Sequence, residues 1–251
     1  MNKLSIKSKK ELDIMREGGR KLSRVKHEVS SLVRSGVSAY EIEEAATNYI
    51  EKLGCEPSFK MVPGYKWSTC VNVNEGVVHG IPKKDVIFRD GDVVSIDLGI
   101  FYKGFHTDTS VSLLIGDNLE KEKFLEAGRT ALSGAISSIK LGGKIGDISY
   151  AIEKTITSFG YTPLSSLTGH GIGRRLHEDP RIPCILAGTP DEFVEIKEGM
   201  ALAVEVMYTM GRDELVTMGD GWTISTKDAK ISALFEETVA VYGNGHVVLT
   251  E

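Results

Sequence analysis

The sequence predicts an α+β fold in one domain over residues 1–251, with an antiparallel sheet covered by helices on one face. Helical periodicity occurs in two pairs of segments, four apolar strand-like stretches lie between and after them, and no Pro-, Gly- or Ser-rich linker divides the chain. At 41% hydrophobic and 26% charged residues, the chain has the composition of an ordinary globular protein with ample core.

The first helix starts at Ser8, with Glu11 three residues on, the pattern of a capping box. Leu12, Met15, Leu22, Val25, Val29 and Leu32 or Val33 then recur at helical spacing. Ser38 and Glu41 repeat the capping pattern for a second helix, which Gly54 ends. The same arrangement returns about a hundred residues later. Met15, Glu17, Gly19 and Arg20 match Phe124, Glu126, Gly128 and Arg129. Gly36, Ile42, Ala45, Ile50 and Gly54 match Gly142, Ile148, Ala151, Ile156 and Gly160. Order and spacing agree, so two structurally similar halves are expected. Residues 93–100, 108–114, 201–208 and 232–242 are rich in β-branched and aliphatic side chains and are expected to be strands.

Charge and composition exclude several classes. A net charge of −5 carries no overall nucleic-acid footprint, and the basic clusters Lys3 to Lys10 and Arg174-Arg175 are expected to be solvated surface. Cys55, Cys70 and Cys184 form no CxxC and are expected to be reduced thiols in a cytoplasmic protein. The first residues lack the apolar core of a signal peptide, and no window approaches a membrane span. The chain has no GxxxxGK[ST], GxSxG or HExxH motif.

What stands out is acid where core should be. Asp97, Glu205 and Glu236 each interrupt an otherwise apolar run, and Asp108 lies on the strand that follows a tight turn at Lys103-Gly104. Whether Asp97 faces Asp108 directly or diagonally, both fall on one face of the hairpin. Two carboxylates roughly 5 Å apart repel by about 3 kcal/mol at an effective dielectric of 20, so they need a cation or a shared proton. One such acid is ordinarily a strand-end or surface residue. Four in four apolar strands point to one shared site. Oxygen and nitrogen ligands suit Co, Mn, Fe or Zn, and two ions could share bridging carboxylates and activate a water for hydrolysis. His170 (in Gly169-His170-Gly171-Ile172-Gly173), His177 and His79 (in Val78-His79-Gly80) are the candidate histidines. His106 is ambiguous, and His27 and His246 carry no signal.

Asn74 through Pro82, Asp97 with Asp108, Gly169 through Gly173, Glu205 and Glu236 together resemble methionine aminopeptidase, over nearly the whole chain. The resemblance implies the pita-bread fold of two pseudo-symmetric halves and two divalent metal ions. It implies Asp97, Asp108, His170, Glu205 and Glu236 as metal ligands, with Glu205 also taking a proton from the bridging water. His79 would contact the scissile amide nitrogen and His177 the carbonyl oxygen. Tyr65, Cys70, Leu176 and Trp222 match positions around a methionine pocket. The implied substrates are nascent polypeptide N-termini and the implied state a monomer, with contact to the ribosome left open and no specific nucleic acid or membrane partner. Lack of an N-terminal zinc-binding extension, and of a long insertion between Glu205 and Glu236, favours the bacterial-like type I form. The chain departs from the usual pattern at Val206, Leu176, Glu237 and Phe59-Lys60-Met61-Val62. Two rivals remain: a relative cleaving before proline, which usually carries an extra domain, and a non-catalytic binding module on the same fold.

Overall fold

A computed structural model describes residues 4–243 and 245–251. In chain order these residues form α1 (Lys9–Ser30), α2 (Ala39–Lys52), β1 (Glu56–Pro57), β2 (Thr69–Val73), β3 (Gly76–Val78), β4 (Val93–Tyr102) and β5 (Phe105–Leu114). There follow α3 (Leu119–Ser138), α4 (Ile145–Ser158), β6 (Thr162–Pro163), β7 (Thr168–Gly171), β8 (Glu178–Pro183) and β9 (Ala201–Thr209). The chain closes with β10 (Leu215–Thr217), β11 (Ile224–Thr226), β12 (Ser232–Tyr242) and β13 (Gly245–Val248).

Both anticipated capping boxes form. Ser8 accepts from the Glu11 N–H and Glu11 accepts from the Ser8 N–H, and Ser38 and Glu41 do the same. The main sheet runs β1-β4-β5-β12-β9-β7-β8, with β2 added on β4, β6 on β9 and β13 on β12; β10-β11-β3 form a small second sheet. Every pairing is antiparallel. Lys103 and Gly104, at φ 47° and 92°, make the two-residue turn whose twist suits a hairpin. Because that turn is so tight, β4 and β5 both run closer to it than sequence pattern suggests, and His106 and Thr107 join the strand.

Side-chain alternation divides the work of each strand. Val94, Ile96, Leu98 and Ile100 pack with Leu22, Val25 and Ile42 of the first helix pair. Leu202, Val204, Val206 and Tyr208 pack with Phe124, Ile148 and Ile152 of the second. Asp97 and Glu205 therefore point away from the helices. In the register adopted, Asp97 faces Ser110 and Gly99 faces Asp108, which sets the two acids diagonally on one face. Glu236 faces both Ser110 and Glu205, so β12 carries its acid to the same place.

The internal repeat has structural counterparts. Gly36 and Gly142 both adopt positive φ, as do Gly54 and Gly160. The Gly36 and Gly142 N–H groups each donate at 2.9 Å to a carbonyl of the following crossing segment, Phe88 and Ile196 respectively. Gly19 and Gly128 are the points where α1 and α3 touch what lies beneath. A methyl at Gly19 would stand 2.3 Å from the Leu249 carbonyl oxygen, and one at Gly128 2.4 Å from the Phe235 ring.

One expectation is overturned. Lys7 is not solvated surface: its side chain is 1% exposed and paired with Glu178. Arg174 is an exposed partner of Glu11, and Lys3 lies outside the described residues. The three cysteines are free and buried, and no helix among the described residues is long and apolar enough to cross a membrane.

Candidate active site

On the sheet face opposite the helices lies a cavity of about 490 Å³, within the usual range for small-ligand sites. Its floor is Asp97, Asp108, His170, Glu205 and Glu236, brought from β4, β5, β7, β9 and β12. Tyr65, Cys70 and Trp222 line one part, while His79, Leu176 and His177 complete the sequence-derived set, so all of these residues border one space.

Ligand atoms of Asp108, His170 and Glu236 lie within 4.8 Å of one another. Asp97 Oδ1 and Glu236 Oε1 are buried with no hydrogen-bond partner. An orphaned buried carboxylate oxygen costs folding free energy unless something compensates it. His170 Nδ1 donates to the Gly171 carbonyl oxygen at 2.9 Å, the tautomer in which Nε2 keeps its lone pair. With Glu205 ionised, that lone pair and Glu205 Oε1 are two acceptors facing each other at 3.4 Å. Glycine at 169 lets β7 approach β9, for a methyl there would lie 2.4 Å from the Ala203 carbonyl oxygen.

The ionisation behaviour is that of a site lacking its counter-charge. Burial pushes Asp97 up to about 7. Asp108 is driven well above the carboxylate range by burial and then by the charges of Asp97 and Glu205. Glu205 and Glu236 shift the same way, by burial first and neighbouring acids second. His170 is pushed by burial down to about 3 and stays neutral, as a metal-binding imidazole must. Orphaned oxygens, opposed acceptors and mutually repelling acids fit divalent cations, and the mixed O/N donor set suits borderline transition ions.

Around this floor the walls differ in character. Tyr65 meets Trp67 and Trp222 edge-to-face at centroid separations of 5.2 and 5.1 Å, and its hydroxyl donates to the Thr69 carbonyl oxygen at 2.8 Å. Phe59 and Val62, from the segment that departs from the usual pattern, also line this part. Glu43 holds the wall in place by accepting from the Ser68 and Thr69 N–H groups at 2.8 and 2.9 Å. His79 has φ 58°, a left-handed conformation uncommon outside glycine and often found at functional positions. His177 is exposed to solvent, and its ring centroid lies 4.5 Å from that of His170. Although solvent reaches both residues, the cavity walls partly desolvate the His79 and His177 rings and hold them below the ordinary histidine value, so each is a neutral imidazole at pH 7.

Some lining residues carried no recognisable sequence signal. Ser166, Thr168, Arg175, Asp179 and Arg181 border the cavity from β7, β8 and the irregular segments beside them. Met207 was within reach of pattern reasoning, because it follows Glu205 by two on a strand. His106 shares the face of Asp108 but bonds Ser58 at 2.9 Å and does not border the cavity. Val206 is buried under the second helix pair, and Glu237 lies on the helix side, where Lys26 of α1 binds it at 2.5 Å.

An open antiparallel sheet with helices on one face, and a buried cluster of acids and a histidine on the other, defines a metal-dependent hydrolase. The sequence profile of metallopeptidase family M24 matches residues 13–242. A methionine aminopeptidase from Aquifex aeolicus is 36% identical over 99% of both chains. The crystal structure of a methionine aminopeptidase from Thermotoga maritima superposes with a TM-score of 0.95 at 38% identity, covering 99% of this chain and 100% of that one. A prolidase from Pyrococcus horikoshii shares the fold at a TM-score of 0.78 and 23% identity, with 98% of this chain covering 63% of that one. The chain belongs to metallopeptidase family M24, among its methionine aminopeptidases.

Ligands and helpers should separate experimentally. His170→Ala is expected to lose metal, whereas His79→Ala and His177→Ala should keep it and lose about 10²- to 10⁴-fold in kcat. Elemental analysis beside initial rates checks this division; equal metal depletion in all three variants would refute it.

Proposed function

We propose that this protein removes the initiator methionine from nascent polypeptides, by attack of a water shared between two divalent ions, with a small second residue preferred. The observation that carries the reading is the meeting of a cation-deficient acid cluster with an apolar, sulfur-tolerant pocket in one cavity. Asp97, Asp108, His170, Glu205 and Glu236 would hold the ions, which when bound supply Lewis acidity and bring the pKa of a shared water toward neutrality. Glu205 would be the base that takes the water's proton, a carboxylate on the cavity floor among the residues that would hold the ions. His79, a neutral donor on the cavity wall, would contact the scissile amide nitrogen. His177 donates to the carbonyl oxygen as charge develops there. Phe59, Tyr65, Cys70, Leu176 and Trp222 offer an unbranched thioether polarizable, apolar contacts.

A peptide panel tests the reading. Met-Ala and Met-Gly peptides should be cleaved, Met-Lys and Met-Leu poorly, and Leu-Ala not at all. A single methylene in an apolar pocket discriminates by only about 10–200-fold, so norleucine should retain weak activity. Leu176 is smaller than the usual aromatic, so Leu176→Phe should raise the ratio of Met to norleucine cleavage. Preference for Xaa-Pro peptides would move the protein to the proline-directed relatives, and no turnover with any divalent metal would make it a binding module.

A further inference from the structure

The Lys7–Glu178 pair is more deeply buried than any other ion pair among the described residues, with side chains 1% and 3% exposed and Nζ 2.6 Å from Oε2. It joins the segment preceding α1 to the residue directly after His177. Removing two charges from water is costly, and such pairs contribute little net stability compared with apolar packing. What a pair of this kind supplies is fixed geometry, and the surroundings show what it fixes.

Glu178 uses both carboxylate oxygens: Oε2 takes the Lys7 ammonium and Oε1 accepts from the Arg175 N–H at 3.0 Å. Burial alone would raise this carboxyl, yet Lys7 and the Arg175 N–H together hold it below its ordinary range, so it is a carboxylate at neutral pH. The turn from Gly173 to Glu178 is thus closed on itself at Arg175. Its other end is held where the His106 N–H donates to the Gly173 carbonyl oxygen at 2.7 Å. Between these anchors sits His177, exposed at the cavity. Lys7 is itself held. Its N–H donates to the Gly199 carbonyl oxygen at 2.8 Å and its ammonium to the Ser5 carbonyl oxygen at 3.0 Å. Its side chain fills the space over Gly173, where a methyl would stand 2.2 Å from Lys7 Cε.

We propose that Lys7 is a positioning residue for the reaction, acting through Glu178 to fix the turn that presents His177 to the substrate. This rests on the role given to His177 under the proposed function. Lys7 touches neither the acid cluster nor the cavity, so its effect passes through the turn.

The decisive variant is Lys7→Met/Glu178→Gln in the metal-loaded protein, which removes both charges; the new amide oxygen can still accept from the Arg175 N–H, while the Ser5 carbonyl oxygen loses its donor. Its metal content should match wild type and its melting temperature should fall only modestly, while amide exchange over residues 173–178 rises and that of β9 does not. With the substrate that wild type cleaves best, kcat should fall about 10- to 100-fold, the scale for small misplacement of a reacting group, with KM within about threefold. In a His177→Ala background the same pair of substitutions should cost less than about threefold, because the positioned group is gone. The single Lys7→Met variant should show the same loss with added destabilisation from the unpaired carboxylate. Unchanged exchange over the turn, or an equal loss in the His177→Ala background, would overturn the inference. Using the best substrate keeps the result separate from the methionine reading: a protein preferring Xaa-Pro peptides would lose that reading and still test the turn.

Discussion

Asp108→Ala is expected to abolish hydrolysis and to strip metal from the site while leaving the fold intact. The backbone at this position is independently secured, for the Asp108 N–H donates to Thr238 Oγ1 at 2.9 Å and the Thr238 hydroxyl donates to the Asp108 carbonyl oxygen at 2.7 Å. Loss of the carboxylate therefore leaves β5 clamped to β12 and removes the ligand together with one acceptor for the Thr109 N–H. It also relieves repulsion, since Asp97 and Glu205 both act on Asp108. A bound divalent ion brings the pKa of water down to about 7, so the rate should drop by more than about 10⁴-fold when the ions leave. Glu236→Ala and Asp97→Ala should behave alike, because each has a buried oxygen without a hydrogen-bond partner that a cation would satisfy. Metal-to-protein ratios, circular dichroism and a Met-Ala peptide assay together decide it. Full activity in Asp108→Ala, or in wild type treated with a strong chelator, would end the two-metal proposal.

How much of this was legible in the sequence varied with the physics of each element. The capping boxes at Ser8 and Ser38 are local: side chain and backbone three residues apart satisfy one another without help from the rest of the fold. The acids in β4, β5, β9 and β12 were legible because a charge in an apolar run is costly wherever the strand lies. Register was not. Sequence allowed Asp97 to face Asp108 or Ser110, and only the Lys103-Gly104 turn with its paired strands selects Ser110. The two-residue strands β1 and β6 have no period to read, and they exist because a longer neighbour supplies hydrogen-bonding groups.

Lys7 shows the opposite failure. Among Lys3, Lys7, Lys9 and Lys10 it looks like one charge of a solvated cluster, and nothing local marks it out. Its burial follows from a partner 171 residues away. Sequence patterning prices a residue by its neighbours in the chain, so a compensated charge and an exposed one look the same. The acid cluster escapes this difficulty because its chain neighbours are apolar.

Metal-free protein should lose stability as pH rises above about 6.5, and divalent metal should cancel the loss. Asp97, Asp108, Glu205 and Glu236 have folded-state values above their unfolded ones, so the folded chain holds protons that the unfolded chain has released. Stability then falls as pH rises toward the folded values. Histidines pull the other way, since desolvation lowers the buried His106 and His170 and, at the cavity wall, the more exposed His79 and His177, and each costs stability as pH falls below 6.5. Above that pH the unfolded histidines are neutral as well and only the acids contribute. Each acid still protonated costs about 1.4 kcal/mol per pH unit, equivalent to roughly 3–5 °C in melting temperature for a chain of this size. Bound ions favour the ionised carboxylates, so the loaded protein should show no such slope, and saturation at 100 times Kd should add about 2.7 kcal/mol per site. Thermal scans from pH 6.5 to 8.5, with and without Mn or Co, measure both effects, and metal-free Asp108→Asn should show a shallower fall. A melting temperature flat with pH in the metal-free protein, or raised equally by metal at both ends of the range, would mean that the acids are not held close together without their cations.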